Sequence, residues 1–317
     1  MTLEHLSTSG KTAAVIGILL SVGAGFCWGT FGIARALGPE SASLSVAGFR
    51  LSFAAIGLIL LAWGTGAFKA AGPVSKWPIV PFIICGAGLG SFTWLYLEGM
   101  WRAGVSIGAP VSCATIPIIS LVLEMLIYKR RATNWQIIGM AVAIFGMTMA
   151  SYAPDEQIEA GRRLSGVFFA VASGFVFSAY SLYIQHSTNR FPRLMVQANI
   201  FTAGAIIMMI WALSSTDYQW FFSFSGVASA MWLGLVSGAL GYWLYIKGMR
   251  LIPVSIATTL SMVEPLTGTI LGIMLLNEST DPLKMLGLII LFAGIIVVGR
   301  ASTNTRPITE AVSPAST

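Results

Sequence analysis

The sequence predicts an all-α polytopic membrane protein, in which ten transmembrane helices form two inverted five-helix repeats. Three observations support this fold class. Of the 317 residues, 56% are hydrophobic and only 9% are charged, whereas a soluble domain has roughly 25% charged residues. The apolar residues fall into ten runs, and the second half of the chain repeats the first at a fixed offset. Eighteen basic and twelve acidic side chains are too few to cover a soluble protein of this length.

Apolar runs bounded by glycine, proline or charged residues predict the positions of the helices. Because a bilayer core of roughly 30 Å requires about 20 apolar residues per helix, ten spans leave only short connections in this chain. The first run follows Lys11, as in a signal peptide, but it is too long for one and matches a later helix, so we assign it to the fold. The predicted helices are 12–37, 42–63, 77–101, 105–127, 134–151, 164–187, 193–213, 227–249, 254–276 and 283–300.

A polar segment divides the chain almost in half and predicts a linker between two domains. The last residues of the chain are rich in serine, threonine and proline, with too little apolar surface to order them. The predicted organisation is a cytoplasmic N-terminal tail at 1–11, a first repeat of five helices at 12–152, a periplasmic linker at 153–163, a second repeat of five helices at 164–300 and a disordered cytoplasmic tail at 301–317.

A seven-residue block recurs at an offset of 149 residues, which indicates an internal duplication. Residues 94–100 have the sequence WLYLEGM, and residues 243–249 have the sequence WLYIKGM. Five identical positions that include tryptophan and tyrosine are difficult to obtain by chance. Ser112 and Ser261 keep the same offset. Because each copy has five helices, an odd number of crossings inverts the second copy relative to the first.

The distribution of basic residues predicts the orientation of the chain in the membrane. Ten crossings return the C-terminus to the side on which the N-terminus lies. By the predicted helices, that side carries twelve lysine and arginine residues and the other side carries five. Since basic residues accumulate in cytoplasmic loops, both termini are predicted to lie in the cytoplasm.

The sequence lacks the short motifs of metalloproteases, serine hydrolases and ATP-binding proteins, which argues against an enzyme. Cys27, Cys85 and Cys113 lie within apolar runs rather than at the spacing of a disulfide framework or a metal cluster. The basic residues form no stripe of the kind that binds nucleic acid. We therefore predict no catalytic residue, metal, cofactor, nucleic-acid partner or obligate protein partner. The expected partners are a small-molecule substrate and membrane lipid.

Two ionisable residues at membrane depth are candidates for substrate contact, because such residues are costly in hydrocarbon. Glu264 lies about ten residues into the ninth helix and either faces a cavity or forms an ion pair. Arg50 lies about eight residues into the second helix and either binds a carboxylate or has a structural partner. Pro117 and Pro265 lie at matching places in the fourth and ninth helices. They are predicted to kink these helices beside a central cavity, with simple curvature as the alternative.

Aromatic side chains in the middle of several helices are predicted to line the same cavity, where flat rings suit an apolar or aromatic solute. Core packing is the alternative interpretation of each ring. Two serines at matching positions of the fourth and ninth helices complete the set. The predicted substrate-binding residues are Trp28, Phe31, Arg50, Trp94, Tyr96, Ser112, Phe177, Tyr180, Trp243, Tyr245, Ser261 and Glu264.

The chain resembles the EamA-type members of the drug/metabolite transporter superfamily over about residues 12–300. The residues that carry the resemblance are Trp28-Gly29, Arg50, Glu264-Pro265, and Glu278 followed by Gly287 and Gly294. Within this superfamily the chain is similar to bacterial exporters of aromatic amino acids. That resemblance implies export of aromatic and other neutral amino acids across the bacterial inner membrane by alternating access. In the first repeat, Pro117 lacks a preceding glutamate and Lys129-Arg130 replaces the late glutamate, so these acids have no mirrored counterpart.

Two other functions fit the same sequence. An exporter of this fold can carry another small metabolite or a cationic drug, and competition by amino acids or by organic cations distinguishes the two. A membrane receptor or scaffold is the more distant alternative, and it requires ligand binding without transport.

Overall fold

The computed structural model describes residues 3–129, 131–150, 159–187, 191–214, 218–276 and 281–303. These residues form ten long helices, which we number in chain order. They are α1 (Leu3–Ala36), α2 (Ser43–Gly64), α3 (Ile79–Ala103), α4 (Val105–Tyr128), α5 (Asn134–Ala150), α6 (Ala160–Ser187), α7 (Arg193–Ser214), α8 (Phe224–Gly248), α9 (Val254–Leu260 and Val263–Leu276) and α10 (Pro282–Thr303). Short helical turns at Ala67–Ala70, Val74–Lys76 and Gln219–Phe222 lie in the connections.

The number of helices agrees with the sequence prediction. In the described part of the chain, nine helices are long and apolar enough to cross a membrane, and α5 is shorter, with 17 residues. The helix α1 begins at Leu3 rather than at 12, although its membrane-spanning part begins at Thr12. The helix α6 begins at Ala160, within the predicted linker. The rest of that linker up to residue 158, and the predicted C-terminal tail from residue 304, lie outside the described residues.

Contacts between helices follow the internal repeat. The helix α5 packs against α10 and α2 packs against α7, which pairs equivalent helices of the two halves. The contact of α3 with α6 has its counterpart in α8 with α1, and that of α4 with α6 in α9 with α1. The helices α5 and α10 are antiparallel, because Gly139 lies beside Val298 and Gly146 lies beside Leu291. This pattern confirms the predicted fold of two inverted five-helix repeats.

Glycines allow the closest approach between α5 and α10, as expected where no hydrophobic effect drives helices together. A Cβ atom on Gly146 would overlap the backbone nitrogen of Leu291 and would lie 2.7 Å from the carbonyl oxygen of Gly287. We expect Gly146→Ala to lower the free energy of unfolding by about 1–3 kcal/mol, because the two backbones must separate. Chemical unfolding of the purified chain in detergent measures this change.

Gly32→Ala is the matched control for that variant. Gly32 also lies within a helix, but no heavy atom of the described residues lies within 4 Å of its Cβ position. We expect its free energy of unfolding to stay within about 0.5 kcal/mol of the wild-type value or to rise slightly. Equal destabilisation by the two substitutions would contradict the assigned role of Gly146.

The bundle is tightly packed at the end where α1 begins and α10 ends, which we call the terminal end; the opposite end is the far end. All seven residues of the segment Val254–Leu260 are buried here. The Glu124 carboxylate of α4 accepts hydrogen bonds from the backbone N–H and the hydroxyl of Ser255. The Gln136 amide of α5 donates to the same hydroxyl at 2.9 Å. These buried bonds join the two halves at the terminal end.

We expect Glu124→Ala to loosen the terminal end. The substitution leaves the buried N–H and hydroxyl of Ser255 without this acceptor, which costs about 1–3 kcal/mol. If the substitution lowers the free energy of local opening by this amount, the backbone amides of Val254–Leu260 exchange with solvent roughly 5- to 100-fold faster. Hydrogen exchange followed by mass spectrometry measures the rates.

Glu98→Ala serves as the control for this experiment. Glu98 forms a partly exposed ion pair with Arg102 at 2.8 Å, near the far end. Because such a pair contributes little, we expect unchanged exchange in Val254–Leu260. Wild-type exchange rates in Glu124→Ala would show that other contacts hold the terminal end closed.

Candidate substrate cavity

A cavity lies between the middle of the bundle and the far end, enclosed by helices of both halves. It leaves about 50 Å³ for the centres of water-sized molecules, which is room for a few waters. A larger solute therefore requires some lining side chains to move. The lining residues are Trp28, Phe31, Arg50, Phe92, Tyr96, Cys113, Ile116, Phe177, Ser237, Tyr242, Thr258, Ser261, Met262 and Glu264.

Seven of the twelve residues predicted to bind substrate line this cavity. They are Trp28, Phe31, Arg50, Tyr96, Phe177, Ser261 and Glu264. The structure places the other five in contacts between or along helices. The Trp94 ring packs edge-on against Phe169, with 5.7 Å between the centroids. The Lys247 ammonium lies 3.8 Å from the centroid of the Trp243 ring.

The other three residues are Tyr180, Tyr245 and Ser112, which are buried and form hydrogen bonds within the fold. The Tyr180 hydroxyl donates to the Gln197 side-chain oxygen at 2.6 Å. The Tyr245 hydroxyl donates to the Ser181 hydroxyl at 3.2 Å. The hydroxyl groups of Ser112 and Ser173 form one hydrogen bond of 2.6 Å. All three side chains have polar partners within the fold, as buried polar groups usually do.

Arg50 is the one cation among the described residues that line the cavity. Its side chain is 7% exposed, and its guanidinium carbon lies 5.2 Å from the centroid of the Phe31 ring. The guanidinium also faces the Tyr242 hydroxyl. Within the described ranges its Nε atom has no hydrogen-bond partner, and no carboxylate forms an ion pair with it. The cavity therefore contains a positive charge that the fold does not neutralise directly.

Glu264 supplies the acidic group of the cavity. The Tyr96 hydroxyl donates to Glu264 Oε1 at 3.4 Å, which is a long hydrogen bond. Glu264 and Arg50 line the same cavity but do not form an ion pair with each other. Two opposite charges presented separately in an apolar cavity suit a ligand that carries both charges itself.

The helix α9 is interrupted at Ser261 and Met262, immediately before the second segment that carries Glu264. Pro265 lacks the N–H that a continuous helix would direct at the Ser261 carbonyl, and its ring would clash with that carbonyl. Gly25 of α1 allows a close approach at the same point, since a Cβ atom there would lie 2.7 Å from the Ser261 oxygen. Interrupted helices that expose backbone groups at mid-membrane are typical of substrate sites in transporters.

The two prolines at matching positions have different effects on the backbone. Pro265 lies in the first turn of the second segment of α9, where a missing N–H costs no helical hydrogen bond. The interruption therefore precedes Pro265 rather than lying at it. Pro117 lies inside α4, which stays continuous. The interruption of α9 therefore has no counterpart in α4, and the kink expected at Pro117 stays a prediction.

Aromatic rings form the wall around the two charged groups. The Trp28 centroid lies 5.9 Å from that of Phe177 and 5.3 Å from that of Tyr242, both in edge-on arrangements. Phe92 lies 4.8 Å from Phe177 and 5.9 Å from Tyr96. These separations are typical of interacting aromatic pairs. The cavity thus presents flat apolar surface beside its two charges.

Sequence reasoning missed half of the lining residues, namely Phe92, Cys113, Ile116, Ser237, Tyr242, Thr258 and Met262. Helical spacing was an available signal, because Phe92 precedes Tyr96 by four positions and therefore shares its face. The sequence prediction followed the repeated block at residues 94–100 and therefore included Trp94 together with Tyr96. Trp94 and Tyr96 are two positions apart, so their side chains point about 200° apart around the helix and cannot both face one cavity.

Comparison with known proteins identifies relatives over nearly the whole chain. The sequence model of the EamA-like transporter family matches twice, at residues 15–152 and 164–300. An uncharacterized transporter of Bacillus subtilis, YwfM, is 28% identical over 287 residues, which cover 89% of this chain and 93% of the relative. A probable terminal-alkyne amino-acid exporter of Streptantibioticus cattleyicolor is 26% identical over 265 residues, covering 82% and 86%.

Two further comparisons support the same fold. The uncharacterized inner membrane transporter YedA of Escherichia coli is 23% identical over 296 residues, which cover 90% of this chain and 92% of the relative. A crystal structure superimposes with a TM-score of 0.75 at 17% identity, covering 92% of this chain and 96% of that chain. At this identity the superposition demonstrates a shared fold and nothing more.

Proposed function

Because the chain belongs to the EamA-like transporter family, we propose that this multi-pass membrane transporter exports amino acids, aromatic and other neutral ones, across the bacterial inner membrane by alternating access. One observation carries the proposal. A guanidinium and a carboxylate that are not paired with each other lie in one cavity walled by aromatic rings. A neutral amino acid carries the complementary carboxylate, ammonium and side chain.

Each part of such a substrate has a complementary group in the cavity. The Arg50 guanidinium binds the carboxylate, for which its planar set of donors is well suited. Glu264 binds the ammonium group, and the rings of Trp28, Phe177 and Tyr242 contact the side chain. Because the substrate is electrically neutral overall, its binding leaves the net charge of the cavity unchanged.

Similarity supports the substrate class and the location. The relative from Streptantibioticus cattleyicolor is named as a probable amino-acid exporter. We propose from the sequence alone that the chain is also similar to the bacterial aromatic amino acid exporter YddG. In this proposal the terminal end, which is rich in basic residues, faces the cytoplasm. The cavity then lies toward the periplasm. In this proposal the transporter lies in membrane lipid and its substrates are amino acids. It requires no cofactor, nucleic acid or obligate protein partner.

The inverted halves supply the conformational change. Phe31 and Tyr96 line the cavity, whereas their equivalents at the repeat offset, Tyr180 and Tyr245, are buried toward the terminal end. If the two halves exchange conformations, Tyr180 and Tyr245 come to line a cavity open at the other side. Such an exchange around a fixed central site is the general basis of alternating access in inverted-repeat transporters.

Counterflow in proteoliposomes tests the proposed function. Vesicles containing the purified full chain are loaded with unlabelled phenylalanine, and uptake of external labelled phenylalanine is followed. We expect saturable uptake that other neutral amino acids inhibit and that protein-free vesicles lack. Absence of saturable exchange with every amino acid would contradict the proposal. Inhibition by organic cations such as tetraphenylphosphonium, without inhibition by amino acids, would instead favour a cationic-drug exporter.

A further inference from the structure

Three buried polar atoms, each on a residue that lines the cavity, have no hydrogen-bond partner in the described part of the chain. They are Trp28 Nε1, Arg50 Nε and Ser237 Oγ. Trp28 and Arg50 are each 7% exposed and Ser237 is fully buried. Each atom carries a proton to donate, and the indole and guanidinium nitrogens cannot accept. A buried donor without an acceptor costs about 1–3 kcal/mol, so three of them in one cavity require an explanation.

The helix α8 brings these donors to one region. Its middle part, Trp232–Leu240, is a π-helix, a rare form that is frequent at functional sites. Ser237 lies within this part. Gly241, one turn further along, packs against the indole of Trp28, with 2.8 Å from Nε1 to the position of a Cβ atom. The next residue, Tyr242, faces the Arg50 guanidinium.

The helix α8 packs closely against α2, the helix that carries Arg50. A Cβ atom on Gly234 would lie 2.8 Å from the Arg50 carbonyl oxygen, and one on Gly238 would lie 2.6 Å from the Cβ atom of Ala54. These glycines hold the π-helical part of α8 directly beside the backbone that carries Arg50. The residues of α1, α2 and α8 that carry the three donors therefore line the same cavity.

We propose that Trp28 Nε1, Ser237 Oγ and the Arg50 guanidinium form a subsite for the carboxylate of the substrate, with the π-helical part of α8 as its frame. The inference rests on the proposed function and adds Trp28 and Ser237 as residues that determine specificity. A carboxylate has two oxygens with about four acceptor positions, enough for donors from three directions. An amine or an organic cation brings no acceptor and leaves all three donors unpaired.

Two conservative substitutions test the subsite. Trp28→Phe keeps a ring but removes the N–H, and Ser237→Ala removes the hydroxyl. Binding is measured as the ligand-dependent rise in unfolding temperature of the detergent-purified full chain. The probes are phenylalanine, 3-phenylpropionate, which has only the carboxylate, and phenethylamine, which has only the amine. We expect each variant to bind phenylalanine and 3-phenylpropionate roughly tenfold more weakly, since each loses a hydrogen bond to a charged group. Binding of phenethylamine stays at the wild-type value.

Matched controls separate the subsite from general effects of the substitutions. Trp220→Phe removes a buried indole N–H that donates to the Ser45 hydroxyl at 2.8 Å, outside both the cavity lining and the π-helical part of α8. Ser229→Ala removes a buried hydroxyl that donates to the Ala34 carbonyl oxygen. Both controls are expected to bind all three probes as the wild type does.

The outcomes distinguish this inference from the proposed function. Wild-type binding of 3-phenylpropionate in both test variants would overturn the subsite, as would an equal loss of phenethylamine binding or no binding of 3-phenylpropionate by the wild type. If 3-phenylpropionate binding depends on Trp28 and Ser237 but phenylalanine is not exchanged in counterflow, the subsite stands and amino-acid export is wrong.

Discussion

Replacing Arg50 by methionine is expected to reduce the exchange of phenylalanine about 100-fold. In the proposed complex the Arg50 guanidinium is the only cation among the described lining residues that can compensate the substrate carboxylate. Removing one partner of a buried charge pair costs about 3 kcal/mol or more, which corresponds to roughly 100-fold in affinity. Methionine preserves most of the volume of the side chain. The measurement is the concentration dependence of phenylalanine counterflow in the variant and the wild type.

The same variant makes a second prediction that a purely structural role for Arg50 does not make. Without the guanidinium, phenethylamine no longer encounters a like charge, so its binding is expected to be equal to or tighter than in the wild type. Arg102→Met is the matched control, because Arg102 pairs with Glu98 away from the cavity. Phenylalanine exchange at the wild-type level in Arg50→Met, or an equal loss for both probes, would contradict the assigned role.

The scaffold of this protein was predictable from the sequence because its constraints act over many residues. Spans must be about as long as the bilayer core, and that requirement marks each helix along the chain. The duplication then predicts which helices are equivalent, and the pairing of α5 with α10 agrees with it. Helix ends were less predictable. The helix α1 starts at Leu3, within a polar segment for which hydropathy gives no signal.

The cavity was only partly predictable because its charged residues are not repeated in the two halves, whereas the helices of the scaffold are. Glu264 corresponds to Ile116 in the first half, and Arg50 corresponds to Asn199 in the second, so the two charges occur once each. Their cost in a membrane made them recognisable individually. The orphaned hydroxyl of Ser237 gave no such signal, since serines are common in membrane helices. Its place depends on the π-helical part of α8, which hydrophobic periodicity does not predict.

The conformation of the protein is the second reason why only some of the site residues predicted from the internal repeat line the cavity. Equivalent residues of inverted halves have different surroundings when one end of the bundle is closed and the other is not. In the structure, Tyr96 meets Glu264 in the cavity, while Tyr245 bonds Ser181 in the packed terminal half. A prediction from sequence matches Tyr96 with Tyr245 and cannot choose between them. In the proposed cycle the choice depends on which end of the bundle is closed, and we expect the buried bonds between Glu124 and Ser255 to hold the terminal end closed.

Glu264→Gln is expected to weaken phenylalanine binding roughly 10- to 100-fold, because the substrate ammonium loses its charged acceptor. Glutamine keeps the shape of the side chain and an oxygen that accepts from the Tyr96 hydroxyl, so the interruption of α9 is expected to stay intact. Binding of 3-phenylpropionate is expected to be retained or strengthened, since its lone negative charge no longer faces a carboxylate. The unfolding-temperature assay with both ligands measures the two effects on one sample.

Tyr96→Phe is the control that separates the charge of Glu264 from its hydrogen bond. It removes the hydroxyl that makes the 3.4 Å contact to Glu264, and we expect a change of less than about threefold in phenylalanine binding, in line with a long and weak hydrogen bond. Together with Arg50→Met, Glu264→Gln gives a crossed pattern. One variant loses the ligand that has only a carboxylate, and the other loses the ligand that has only an amine. Parallel losses in the two variants would mean that Arg50 and Glu264 support the fold of the cavity rather than the two ends of a zwitterion.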